Sequence, residues 1–157
     1  MLRFDKVILV TLTEIDAHEF FELYKDKNVN GGEEPFLPGE QPIEFTRRII
    51  SLCQIIFSIR LAESPEVIIG DCALHHWNQA KKEIEIGGSL YPEYWGKGYM
   101  QSAFTLLEKI AKEAYKVDKI IGKTKPDNRK AIKLVEKLGF KNADERKTEV
   151  IVCKEIT

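Results

Sequence analysis

Three cysteines in 157 residues, Cys53, Cys72 and Cys153, stand far apart and form no C-x-x-C pair. A disulfide framework and a zinc knuckle are therefore unsupported, and reduced, buried thiols are expected. No apolar run approaches the roughly 18 residues of a membrane span, and "VILV" near the start is preceded by Asp5 and Lys6 and followed by no small-residue cleavage site. A cytoplasmic protein without a membrane partner is expected. Charge of one sign is also missing: 24 Lys and Arg against 25 Asp and Glu leave a formal charge of -1, which argues against nucleic acid as the main partner. Repeats and low-complexity tracts are absent. What remains is an ordinary globular balance, 43% hydrophobic and 31% charged, at a length that suits one domain over residues 1–157.

Periodicity divides the chain into elements. "KVILVTLT" alternates as a strand, and Asp16 caps a helix carrying Ala17, Phe20, Phe21 and Tyr24 at helical spacing. "KNVNGGEEPFLPGEQP" is a loop rich in Gly and Pro, long enough to suggest a binding role. A second helix is expected from Pro42 to Cys53 with Ile43, Thr46, Ile49, Ile50 and Cys53 on one side, then a strand "IIFSIRLA" closed at Ser64-Pro65. "EVIIGDCALHHW" and "KKEIEIGGSLY" read as hairpin partners across "NQAK". From Met100 to Ala114 runs the widest apolar helical stripe; "VDKIIGKT" is a buried strand, Asp127 caps a helix ending at Gly139, and the remainder reads as a closing hairpin. This order of elements describes an α+β, or mixed α/β, layered domain.

The stretch "YPEYWGKGYMQSAF" sets Gly96 and Gly98 where a strand ends and the best helix begins. A helix start presents unpartnered N–H groups and the positive end of the dipole, so bare backbone there, with Lys97 beside it, suits a diphosphate. A Walker loop fails, because Tyr91 stands where its first Gly belongs and Gly98 where Ser or Thr should bind magnesium. A dinucleotide fingerprint fails too: Gln101 replaces the third Gly, Asp118 begins rather than ends its strand, and the preceding strands read as hairpins.

Residues 83–100, "EIEIGGSLYPEYWGKGYM", resemble the acetyl-CoA signature of the GNAT acetyltransferase superfamily, especially its ribosomal-protein-alanine branch. "NRKAIKLVEKLGF" at 128–140 resembles that family's second block, and "IGDCALHHWN" the strand before its hairpin. The resemblance implies a mostly antiparallel mixed sheet flanked by helices, with one parallel pair splayed apart to admit the pantetheine arm. It implies acetyl-CoA as acyl donor, held by Leu90, Tyr91, Trp95, Gly96, Lys97, Gly98, Tyr99, Met100 and Gln101 and, on the later helix, by Asn128, Ala131 and Lys133. Arg129 and Lys130 are further cations that could reach the adenosine phosphates.

A free N–H at Leu90 would polarise the acetyl carbonyl, and Glu85 would serve as base, directly or through a water. Gly87-Gly88 within the strand suggests a bulge or the close approach of another backbone. Relatives in other branches carry a Tyr general acid near positions 134 and 135, where this chain has Leu134 and Val135, and often a Ser where it has Ala131. A thiol with a pKa of about 8.5 can leave as thiolate without that acid. No metal is called for, and His75 and His76, adjacent on a strand, should face opposite sides. The expected activity is acetyl transfer to a primary amine, a peptide N-terminus or a small molecule, in a ternary complex of a monomer or homodimer. A non-catalytic acyl-CoA sensor is the alternative.

Overall fold

The computed structural model describes residues 1–156. Its strands are β1 Leu2–Phe4, β2 Val7–Thr11, β3 Cys53–Leu61, β4 Ser64–Asn78, β5 Glu83–Leu90, β6 Lys119–Thr124, β7 Lys141–Glu145 and β8 Val150–Glu155. Its α-helices are α1 Ala17–Lys25, α2 Lys27–Asn30, α3 Pro42–Ser51, α4 Tyr99–Ala114 and α5 Arg129–Lys137. The strands form one sheet in the order β1-β2-β3-β4-β5-β6-β8-β7. All pairings are antiparallel except that of β5 with β6.

Several local details differ from the sequence expectations. The first strand is a hairpin, β1 turning at Asp5 (φ 54°) into β2. The α3 helix ends at Ser51 and buries Phe45 and Thr46, while Ile43 faces solvent. Phe45 is drawn inward by Phe20, Tyr24 and Phe36, whose rings surround it at 4.9–5.6 Å. Asn128, not Asp127, caps α5, its side-chain oxygen accepting from the Ala131 N–H at 3.2 Å. Ser64-Pro65 open β4 instead of closing β3.

Two layers cover the sheet. On one face α4 and α5 press Ala103, Leu107, Ala111 and Val135 onto Leu9, Ile84, Ile86 and Ile120. On the other, α1 and α3 close a smaller cluster of Phe20, Leu23 and Phe45 over Leu12, Ile56 and Ala73. The glycine-rich loop is pinned to this second layer. Phe36 stacks on Phe21 at 4.2 Å, and the Arg48 guanidinium donates to Glu40 and to the Pro35 carbonyl. At its near end Glu33 reaches across to Lys125, beyond β6, at 3.0 Å.

The parallel pair is short, and its shortness creates the site. Glu83, Ile84 and Glu85 pair with Lys119, Ile120 and Ile121, and there the pairing ends. β5 stays bonded to β4 as far as Leu90, and β6 stays bonded to β8 as far as Thr124. Each arm follows its outer neighbour, so the sheet forks between them. Gly87 and Gly88 keep regular register with Ala73 and Cys72, so they form no bulge. The close approach is what they provide: a Cβ on Gly88 would lie 2.8 Å from the Asp71 carbonyl and 3.0 Å from Met100 Cε.

Candidate active site

At the end of β5 the Tyr91 N–H bonds the Ile69 carbonyl at 3.0 Å. Antiparallel alternation therefore turns the Leu90 amide group away from β4, toward the fork. The Leu90 carbonyl accepts from the Trp95 indole N–H at 3.0 Å, which folds the Pro92–Tyr94 turn back along the strand end. Gly96 (φ 74°) and Gly98 (φ 82°) both lie in left-handed backbone, and a Cβ on either would meet nothing within 4 Å. The bare side of this turn is open space. Gly98 is the N-cap of α4 and offers no capping side chain; the first intrahelical bond runs from Ser102 N–H to Gly98, so the amides of Tyr99, Met100 and Gln101 precede the helix ladder.

The turn and the start of α5 meet. Lys130 Nζ lies over the Trp95 ring, 4.7 Å from its centroid, bringing the two sequence motifs side by side. Asn128 uses its side-chain oxygen as a cap, Ala131 is half-buried, and Lys97 and Lys133 are solvent-exposed cations flanking this region. Met100 points into the sheet against Gly88, so only its backbone serves the turn.

On the face covered by α1 and α3, a cavity of about 320 Å³ opens beside β5. Tyr24, Ile49, Cys53, Asp71, His75 and Gly87 are among its walls. Helices α1 and α3 contribute to it, whereas the 28–42 loop supplies no lining residue among those described. Asp71 lies at its floor, 3% exposed, accepting from the Tyr24 hydroxyl at 2.7 Å and from the Ser89 N–H at 3.1 Å. Burial raises its carboxyl to about 6, with these hydrogen bonds pulling the other way. Burial and the neighbouring carboxylate push the Tyr24 hydroxyl well above its usual range.

Sequence reasoning passed over Asp71, although a lone carboxylate inside the apolar run "VIIGDCAL" was the available signal. Cys53 also lines the cavity; burial lifts its thiol to about 11, which leaves it protonated and no nucleophile. Of the three thiols only Cys72 is fully buried.

The histidine expectation is overturned. β4 slips register after His75, and His76 adopts left-handed backbone (φ 51°), so both rings fall on the side of Glu85. His76 Nδ1 lies 3.2 Å from His75 Nδ1 and 3.0 Å from Glu85 Oε1, and His75 Nδ1 lies 3.7 Å from Glu85 Oε2. Lys123 Nζ approaches the same carboxylate at 3.5 Å. Burial holds the His75 imidazole below its usual pKa against the pull of Glu85. Glu85 thus stands among two imidazoles and an ammonium at the root of the fork, its side chain only 14% exposed.

A mostly antiparallel sheet that forks at its one parallel pair, with a glycine turn opening the long helix at the fork, is the architecture of the acyl-CoA N-acyltransferase class. The chain belongs to the GNAT acetyltransferase domain family, whose pattern matches residues 6–141. A curated relative, the uncharacterized N-acetyltransferase p20 of Bacillus licheniformis, is 34% identical over 84 residues. That match covers 54% of this chain and 47% of the relative, about half of its length.

Two solved structures superpose on nearly the whole chain. The spermidine N-acetyltransferase of Vibrio cholerae, in complex with CoA and spermine, does so with a TM-score of 0.78 at 20% identity, over 96% of this chain and 95% of that one. The ribosomal-protein-S5-alanine acetyltransferase of Vibrio fischeri gives 0.78 at 18% identity, over 98% and 95%. At these identities the likeness establishes the shared fold. Among the described residues no helix is long and apolar enough to cross a membrane.

Proposed function

We propose that the chain transfers the acetyl group of acetyl-CoA to a primary amine by direct attack within a ternary complex. One observation carries this reading: the fork past Glu85 and Ile121 has a bare amide turn at its end and a carboxylate-bearing cavity on the face of α1 and α3. Acetyl-CoA supplies an activated acyl group on a thiol that leaves readily. The residues present fit it, because the turn has open space where side chains would stand and the Leu90 amide faces the gap.

In this reading Leu90 donates its N–H to the acetyl oxygen as negative charge develops there. Trp95 keeps Leu90 in place through its carbonyl. Gly96, Lys97, Gly98, Tyr99, Met100 and Gln101 offer amides, one ammonium and the helix dipole to the diphosphate. Tyr91, Asn128, Ala131 and Lys133 border the arm and the adenosine end.

Glu85 takes the proton that the amine must lose to attack the acetyl carbon. That task is light for an α-amine with a pKa of about 8 and heavy for a lysine-like amine near 10.4. With Leu134 and Val135 where a hydroxyl acid would stand, the thiolate departs unassisted. The carboxylates of Asp71 and Glu85 favour a cationic amine over an anionic one. The ribosomal-protein-alanine branch suggested by the motifs and the polyamine acetyltransferases both present such amines. A second reading, an acyl-CoA sensor without turnover, is favoured by the missing hydroxyls at Ala131 and Val135. Release of CoA thiol with a panel of N-terminal peptides and polyamines tests the choice: turnover with any of them supports transfer, whereas tight acetyl-CoA binding with silence across the panel supports the sensor.

A further inference from the structure

The cluster of His75, His76 and Glu85 stands apart from the acetyl-CoA turn, and acetyl transfer has no use for two converging imidazoles. The two Nδ1 atoms lie 3.2 Å apart, His76 Nδ1 lies 3.0 Å from Glu85 Oε1 and His75 Nδ1 lies 3.7 Å from the other carboxylate oxygen, Oε2, and one ligand atom from each residue falls within 4.8 Å of the other two. Zinc bonds of about 2.0–2.1 Å at tetrahedral angles set neighbouring ligand atoms about 3.4 Å apart, close to the separations found here. A turn of the Glu85 carboxylate is the adjustment a face of that tetrahedron asks for.

The hydrogen bonding within the cluster is under-served as it stands. Glu85 accepts only, and a neutral His76 has one Nδ1 proton to share between the Glu85 oxygen and the His75 nitrogen. A cation drawing on all three lone pairs removes that shortage. The backbone is also committed to the arrangement. His76 holds φ 51°, a conformation costing about 1 kcal/mol or more in a residue other than Gly, and it is this conformation that brings the second ring beside the first. Opposing the ion is Lys123 Nζ, 3.5 Å from Glu85, whose flexible, 42% exposed side chain can swing into solvent.

We propose that His75 Nδ1, His76 Nδ1 and Glu85 bind a divalent cation of the zinc type, leaving the fourth ligand position to water, and that the bound ion shuts off acetyl transfer. The three residues lie between two cavities: His75 and His76 line the one floored by Asp71, while His76 and Glu85 line a second of about 320 Å³ with Asn78, Ile121 and Lys123. An ion there occupies the lone pairs of Glu85 and sets a positive charge where a cationic amine would approach. Inhibition is therefore competitive with the amine and indifferent to acetyl-CoA. The inhibitory half rests on the reading of Glu85 as base; the binding half does not.

Titration of the full chain with cobalt(II) as a spectroscopic stand-in tests the site directly. The expected result is one equivalent bound, with visible bands of tetrahedral intensity and no thiolate charge transfer, and at least about tenfold weaker binding in His76→Ala. A thiolate band, which would indicate Cys53, or equal affinity in His76→Ala overturns the site. Zinc inhibition is then read as the ratio of rates with and without metal in each variant. Loss of the inhibition in His76→Ala supports the closure, and an undiminished rate in the zinc-loaded native protein overturns it. Absence of transfer with every amine would count against the proposed function while leaving the cobalt result standing.

Discussion

Asp71 illustrates how much a single buried residue can carry. Its folded pKa of about 6 lies above the ordinary value of 3.8, so the fold disfavours its charged form. Well below pH 3.8 both states hold the proton and the carboxyl contributes nothing; between about pH 3.8 and 6 the unfolded state is ionised while the folded one is not and stability falls, reaching a constant cost of about 3 kcal/mol above pH 6. Asp71→Asn keeps an oxygen for the Ser89 N–H and has no such titration. Urea denaturation of both proteins between pH 4 and 7 should show the native chain losing that much relative to the variant. Equal slopes would refute the burial argument.

Glu85 belongs to the same scale. Glu85→Gln should lower kcat by about a hundredfold or more at neutral pH and leave the KM for acetyl-CoA unchanged. A loss confined to KM would remove its role as base. Glu85 was proposed from the family resemblance, since alternation alone did not separate it from Glu83, and the placement of His76 was hidden because it depends on a register slip that no local pattern announces.

At the scale of elements, the helix starts are the informative places. Gly-x-Gly before a wide apolar stripe announced α4, and the structure adds that Trp95, through its indole bond to Leu90, ties the turn to β5. The family resemblance made Asn128 a contact to the cofactor arm, and the structure shows it capping α5; Asn128→Ala should cost about 1 kcal/mol of stability whether or not acetyl-CoA is present, measured by thermal melting. Gly87-Gly88 was read as a bulge or a close approach, and the second held. Gly88→Ala should destabilise by about 1–3 kcal/mol, since its methyl would press on the Asp71 carbonyl and Met100; a neutral effect would mean that the start of α4 can shift freely. The fork itself left no mark in any one strand. It arises because β5 and β6 follow different neighbours, a property of the assembled sheet.

At the scale of the molecule, two apolar layers hold a sheet whose middle is open. The α4 layer was plain from its periodicity, and so was most of the α1–α3 layer, Phe20, Thr46, Ile49 and Ile50 included; one position was misjudged, for spacing pointed to Ile43, yet Phe45 is the residue buried, because aromatic rings from α1 and the loop converge on it. Phe45→Ala should lower stability by about 3–5 kcal/mol and collapse the cavity wall beside Tyr24.

Everything proposed for this site depends on the bare turn at the mouth of the fork gripping the diphosphate of acetyl-CoA. The affinity of the Gly98→Val protein for acetyl-CoA, by calorimetry beside a melting curve showing it folded, tests that most directly. Loss of one or two charge-assisted amide bonds predicts binding weakened about tenfold to a hundredfold. Native affinity in the folded variant would contradict it.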